Sequence, residues 1–347
     1  METKIRKGIF LALTPILAGG VLFLACAGLA AEKTYNIKFA IIYPTDSPSA
    51  KAEHGHFIDR VAELSNGRIL VKMYGPGTLG TPPEYPQLVR DGIADMALLF
   101  NPYYGDINPL AEAISLPFVA KTYAQAVQVT RQLYETAPGI KAFLDEYNME
   151  GLWYCAGSSP TFQLIKPAKS LEEIKGLKLR TSGGTFTYLV KAWGIVPVYM
   201  PPGDVYPALR AGVVDGGFNP LFYQMLFKWY EVAPHFIIPS HVISTPASAI
   251  VMNIGVWNKM SKADKDIMIK AGLEQEAITV DKWTKEYRSL PELMKKKGCT
   301  IVWMSESETE ELVKLSESAV QAWIKDNSGG KAIIDRIKGI VEKLPAK

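Results

Sequence analysis

The chain has 347 residues, 48% hydrophobic and 21% charged, and a formal net charge of +3. That length and polarity suit a globular protein with one large core or two smaller ones, and exclude a disordered or low-complexity chain. The small charge gives no basic surplus for gripping phosphates, so nucleic acid is not expected as a partner.

In chain order, Lys4, Arg6 and Lys7 precede an uncharged apolar run from Gly8 to Ala31, which predicts a signal peptide over residues 1–31. Retention of the run as an anchor, or lipid attachment at Cys26 in "FLAC", are the alternatives. Its removal takes away three basic residues and Glu2, leaving 35 Lys plus Arg against 34 Asp plus Glu. Cys155 and Cys299 then remain without CxxC spacing; they are free to pair after export, but Cys155 in "GLWYCA" reads as a buried thiol.

"NIKFAII" reads as a strand, "SAKAEHGHFIDRVAELSNG" as a helix, and "ILVKMY" as the next strand. A helix from about Pro83 to Arg90 and the strand "ADMALLF" follow. "GLWYCA" and "LKLR" are strands, with a capping box at Ser170 and Glu173 between them. A helix over about Thr185–Trp193, the strand "VPVYM" and a helix over Asp204–Arg210 continue the alternation. The pattern predicts an α/β fold with largely parallel sheets, and the stretch from about Lys262 to Lys296 a long bracing helix.

Two segments resemble each other. "YPQLVRDGIADMALLFNP" and "YPALRAGVVDGGFNP" share Tyr-Pro, Leu, Arg, Gly, two apolar residues, Asp and Phe-Asn-Pro in one order. This suggests two lobes of like construction, placing Asn101 and Asn219 at carboxyl ends of strands, where open α/β sheets bind ligands.

Catalytic patterns are absent: no G-x-S-x-G, Walker A, G-x-G-x-x-G after a strand, or H-E-x-x-H. His54 and His56, two apart on a helix, make a poor metal pair and read as structural. No enzyme, metal or cofactor is therefore expected. Aromatic residues crowd the middle of the chain, and Phe162, Phe218 and Phe222 are the candidates for cleft walls, with Tyr206 beside them.

"IKGLKLRTSGG", "WGIVPVYMPPGDVYPALRAGVVDGGFNP" and "KWYEVAPHFIIPSH" resemble the signature region of DctP-type substrate-binding proteins of TRAP transporters. "FAIIYPTDSPSAKA", "LSNGRILVKMYGPGTLG", "SLPFVA" and "MNIGVWNKMSKADKDIMIKAG" extend the resemblance over nearly the whole exported chain.

The resemblance implies a two-lobed, periplasmic-binding-protein-like α/β fold with hinge strands and a long bracing helix. Lobe I would take residues 32–155 and about 246–285, and lobe II about 156–245 and 286–347. It also implies a periplasmic protein that closes on a small organic acid and delivers it to a TRAP permease of small and large membrane subunits. Arg180 becomes the carboxylate anchor and Asn219 its pocket neighbour. Asn101 and Tyr104 are candidates from the first lobe, with Asp46 or Ser47 as further ones. Where the family's sialic-acid branch carries polar groups, this chain has Pro160, Gly183 and Phe218. The expected ligand is thus a monocarboxylate with an apolar or aromatic body; a sulfonate would also satisfy the arginine. A sensor feeding a membrane receptor, or an extracytoplasmic enzyme, is the alternative function. Gly183 and Gly184 are expected to let the backbone turn closely and to leave space for the ligand.

Overall fold

The computed structural model describes residues 33–117, 120 and 122–344, so the export segment 1–31 and Cys26 lie outside the described residues. The first sheet has the order β2-β1-β3-β10-β4, from Ile69–Tyr74, Tyr35–Ala40, Met96–Phe100, Ala247–Asn253 and Met149–Ala156. The second has the order β11-β9-β5-β8-β6-β7, from Thr300–Trp303, His235–Ile238, Pro160–Leu164, Gly216–Pro220, Lys178–Thr181 and Val196–Tyr199. β3 is buried along its length, as its uninterrupted apolar sequence requires of an inner strand.

Largely parallel sheets were expected, and both sheets are mixed. β1 runs parallel to β2 and β3, and β6 parallel to β7 and β8, as strands linked through helices must. β10 runs antiparallel to β3 and β4, and β5 antiparallel to β8 and β9. These two are the strands that the chain enters on passing directly from one sheet to the other, and no helical crossover reverses them. The two passages run side by side: Ala156 pairs with Ala247, and the Gly157 N–H donates to the Pro246 carbonyl at 2.6 Å.

The second sheet has a core of its own on one face, while the larger core spans the first sheet and reaches β9 through Phe236 and Ile238. Strand alternation sends Leu164, Leu179 and Phe218 to one face of the second sheet, where Phe186, Leu189 and Trp193 cover them. The first lobe buries Phe39, Phe57, Leu98 and Trp153. The helix Lys262–Lys296 has the expected bounds and is started by Ser261, whose hydroxyl accepts the Asp264 N–H. Gly272 on this helix lets the Trp153 ring approach so closely that a Cβ would stand 3.0 Å from it. The Gln275 amide oxygen accepts the Phe57 N–H at 3.0 Å, again in the first lobe, and the Tyr287 hydroxyl reaches the Pro239 carbonyl on the second passage. Pro291 lies inside the helix.

One local expectation fails. Ser170 forms no capping box; Glu173 instead accepts the Lys169 N–H, and only a 3-10 turn, Glu172–Ile174, results. The helix Gly330–Val341, grouped by sequence with the second lobe, sets Arg336 on Thr136 of a first-lobe helix, at 2.9 Å.

Candidate functional site

Arg180 lies on β6 opposite Gly217 of β8. Its predecessor Leu179 enters the second-lobe core, so alternation turns Arg180 to the other face, toward the first lobe. Asn219, two residues beyond Gly217, shares that face. The Arg180 Nη1 donates to the Asn219 Oδ1, while Nε and Nη2 both donate to the Met200 carbonyl, at 3.0 and 2.7 Å. A guanidinium has five N–H donors, so three are engaged by Asn219 and Met200, and the Tyr103 hydroxyl lies within reach of the remainder. Gly217 makes room for this arrangement, since a Cβ there would overlap the Asn219 amide nitrogen.

The guanidinium is 1% exposed and has no acidic partner among the described residues. Burial lowers its pKa, and the nearby hydroxyls of Tyr103, Tyr199 and Tyr223 act in the opposite direction. The Trp229 ring centroid is 5.4 Å from Arg180 Cζ, a cation–π contact. Three donors here are buried without a partner: Asn219 Nδ2, Tyr103 Oη and Trp229 Nε1. Buried donors are rarely left unsatisfied, which makes these groups the candidates for polar contacts with a bound molecule. A cavity of about 390 Å³ opens on the far side of Tyr103, lined in part by Tyr103, Ser182, Gly183, Gly184 and Tyr199; Arg180, Asn219 and Trp229 do not line it.

The helix Leu221–Leu226 continues from Asn219 and is pinned by Gln224, whose amide donates to the carbonyls of Asn219, at 2.8 Å, and Thr161, at 3.1 Å. This places Phe222 against Trp283 of the long helix, with centroids 4.9 Å apart, and against Tyr43 of the first lobe at 6.3 Å. Tyr223 faces Tyr43, the two hydroxyls 3.5 Å apart, and Tyr43 donates to Glu53 at 2.9 Å. Behind them Lys282 lies 3.5 Å from Glu53 and 3.4 Å from Glu286, over the faces of Trp283 and Phe222. This second buried cation is therefore neutralised by the protein itself. Burial raises the Glu53 pKa, against the pull of Lys282 and Tyr43. His54, stacked on Tyr43, is held neutral by burial and by Lys282, its pKa lowered to about 3.

The candidates read from the sequence divide. Arg180 and Asn219 come together, and Phe222, three residues on, packs between Tyr43 and Trp283. Phe218 and Phe162 do not join them: they pair across β8 and β5 and pack on each other, centroids 5.0 Å apart, in the core with Trp193. Consecutive residues of a strand face opposite ways, so Phe218 and Asn219 cannot serve one cleft. Asn101 is saturated within the first lobe, donating to the Ala111 carbonyl at 3.0 Å and accepting from Tyr134 at 2.7 Å. Tyr104 is spent on the Pro82 carbonyl at 2.7 Å, and its neighbour Tyr103 faces the arginine instead. Tyr206 bonds to Glu231 at an exposed position. Asp46 is exposed, and Ser47 caps a short helix through the Ala50 N–H. Cys155 and Cys299 are both buried and free.

The profile of the DctP family, described as bacterial extracellular solute-binding protein, family 7, matches residues 39–326. The chain belongs to this family. Its members are solute-binding proteins and not enzymes, and the resemblance read from the sequence is borne out. The sialic acid-binding periplasmic protein SiaP of Vibrio cholerae is 31% identical over 220 residues, which cover 61% of this chain and 66% of that protein, just under two thirds. A marine metagenome TRAP solute binding protein specific for aromatic acid ligands, solved with 3-hydroxybenzoate, superimposes with a TM-score of 0.81 at 24% identity, covering 90% of this chain and 99% of that one. A TRAP periplasmic solute binding protein from Bradyrhizobium, solved with galacturonate, gives 0.73 at 24% identity, covering 88% and 99%. At these identities the structural likeness is one of fold, and it shows the two-lobed architecture of the family. Among the described residues no helix is long and apolar enough to cross a membrane.

Tyr43, Tyr103, Tyr223 and Trp229 escaped the sequence candidates as site residues. A signal existed for Tyr43, at the end of the first strand's apolar run, and for Tyr223, beside Phe222. None existed for Tyr103, whose direction depends on the 3-10 turn Asn101–Tyr103.

Proposed function

We propose that this protein captures a small organic monoanion, in first place a carboxylate with an aromatic or apolar body, in the periplasm and delivers it to a TRAP permease of small and large membrane subunits. The observation that carries this is Arg180: a buried guanidinium without an acidic partner, flanked by unsatisfied donors. Leaving an ion unpaired away from water costs several kcal/mol in general, so such a site suits a ligand that brings the counter-charge. A single charge is favoured because Lys282 already faces Glu53 and Glu286. An aromatic body is favoured because Tyr103, Tyr199, Tyr223 and Trp229 supply rings around the anchor. The relatives span both chemistries, since SiaP is named for sialic acid and the metagenome protein for aromatic acids.

Mass spectrometry of the acid that copurifies, followed by thermal-shift and calorimetric titration with benzoates, phenylacetates and uronates, tests the proposal. Stabilisation by aromatic monocarboxylates and none by uronates is expected. Preference for uronates or dicarboxylates would overturn the ligand class, and binding that survives Arg180→Ala would overturn the anchor.

A further inference from the structure

Glu112 ends the short helix Pro109–Glu112, on the chain that leaves β3 in the first lobe, and is 1% exposed. Its Oε2 accepts the Thr185 N–H at 2.9 Å. Thr185 belongs to the first turn of the helix Gly184–Ala192, a second-lobe element that begins four residues after Arg180. The contact therefore joins the lobes next to the anion anchor. Two glycines make the socket: a Cβ at Gly105 or at Gly184 would run into the carboxyl group.

Three acids are buried among the described residues, Glu53, Glu112 and Asp264. Glu53 has Lys282 beside it and Asp264 has Arg68, at 3.5 and 2.7 Å. Glu112 has no cation; the charged group that acts on it is Asp106, of like sign, on its own loop. On the facing helix the titratable neighbour is Tyr188, whose hydroxyl is engaged with Asp326 at 3.1 Å. The helices Tyr123–Thr136 and Pro138–Glu146 behind it bring no ion-pair partner. Glu112 Oε1 and Thr185 Oγ1 are both buried without a hydrogen-bond partner. A carboxylate with one N–H and no counter-charge is poorly stabilised out of water, and a carboxylic acid is not.

We propose that Glu112 is a protonated latch: as a neutral acid it seats in the second lobe and holds the lobes together, so that closure over the ligand takes up one proton from solvent. On opening, the carboxyl group meets water and releases that proton. On closing, the proton returns to the carboxyl oxygen that has no other partner. The proposal rests on reading the cleft as an anion site that closes, but not on the identity of the anion.

Burial pushes the Glu112 carboxyl well above the usual carboxylate range in the closed form, opposed only by the Thr185 N–H. The closed form thus binds the proton more tightly than the open one, and closure is favoured as pH falls through the closed-form pKa. The gain is complete below the pKa of an open glutamate, about 4.3.

Leu70 on the first lobe and Val213 on the second are exposed, at 49% and 57%, and accept nitroxide labels as Leu70→Cys and Val213→Cys. Distances between them, measured by pulsed EPR on the full exported chain without added ligand from pH 8.5 to 5, report the closed fraction. The expected result is a closed-to-open ratio that rises about tenfold or more as pH falls, one pKa unit of difference being a tenfold change. Glu112→Gln, neutral at every pH and able to accept the Thr185 N–H, is expected to hold a high ratio independent of pH. Glu112→Ala is expected to be shifted open at every pH. A wild-type ratio that does not change with pH, or the same change in Glu112→Gln, overturns the latch. Failure of the anion reading shows elsewhere, as carboxylate binding retained in Arg180→Ala, so the two outcomes are distinguishable.

Discussion

Arg180 donates to the side-chain oxygen of Asn219, which leaves the Asn219 amino group buried and unpartnered beside the guanidinium. The asparagine orients the cation without neutralising it, so the charge stays available to a ligand.

Arg180→Ala is therefore expected to lower affinity for the bound acid by about two orders of magnitude or more, since charge-assisted bonds are worth about 1.5–3 kcal/mol each. The ligand-free protein should keep its thermal midpoint or gain slightly, because an unpaired buried ion has been removed. Calorimetric titration and scanning calorimetry on the same sample check both. A collapse of ligand-free stability would mean that Arg180 is a structural residue.

Asn219→Asp places a carboxylate where the Asn219 oxygen already meets Nη1. It should mimic the ligand from within, raising the ligand-free thermal midpoint while reducing anion affinity at least tenfold. Unchanged affinity would show that the ligand's charge is met elsewhere.

Phe218→Ala and Phe222→Ala should separate packing from binding. Phe218 is buried among Phe162, Phe186 and Trp193, and its loss is expected to cost about 3–5 kcal/mol of stability, with affinity little changed while the protein stays folded. Phe222 sits between Tyr43 and Trp283, and its loss should weaken binding. Urea unfolding and titration distinguish the two, and the opposite pattern would return Phe218 to the cleft.

Gly184→Ala is expected to reduce affinity about tenfold. The residue has φ of +51°, which costs an alanine about 1–2 kcal/mol, and the methyl group would meet the Glu112 carboxyl in the closed form. Gly212→Ala, with φ of +68° and open space around its Cβ position, is the matched control for backbone strain alone, measured by the same titration.

His54 gives the stability a defined acid response. Its pKa is depressed to about 3 in the folded protein against an ordinary 6.5, so the unfolded chain binds the extra proton. Stability due to the neutral ring is present above pH 6.5 and is lost as pH falls toward 3. Between pH 7 and 4.5 the loss should be about 2–3 kcal/mol more in the wild type than in His54→Phe, read from urea midpoints at the two pH values. Parallel curves would show that His54 does not titrate on unfolding.

The elements themselves were written plainly in the sequence. "ILVKMY" and the bounds of Lys262–Lys296 follow from periodicity and from a serine cap, both local properties. Arg180 was legible through the family resemblance, in which an arginine ends the matching strand; its place at a strand end alone is equally that of a surface arginine. What local pattern does not determine is direction. Tyr103 and Tyr104 are equivalent candidates until a 3-10 turn aims one at Arg180 and the other at Pro82. Phe218 attracts attention as an aromatic beside Asn219, although strand pleating sets it on the opposite face.

The Gly183–Gly184 pair shows the same limit. Close turning and open space were the expected roles, and both glycines have positive φ and line the cavity; unforeseen is that a Cβ at Gly184 would also meet Glu112, and one at Gly183 would stand 3.1 Å from the Tyr199 ring. Glu112 lies 72 positions before Gly184, and nothing near it in the chain marks it as anything but a helix-end acid.

The long helix is more than a brace. At 35 residues it runs about 52 Å, and Pro291, lacking an N–H, leaves one rung of its ladder open at the Tyr287 carbonyl. Before that gap Gly272 and Gln275 are fixed to the first lobe; after it the chain passes into β11 and so into the second sheet. One rod thus ties the two sheets together, held to the first lobe before the proline and leading into the second sheet after it.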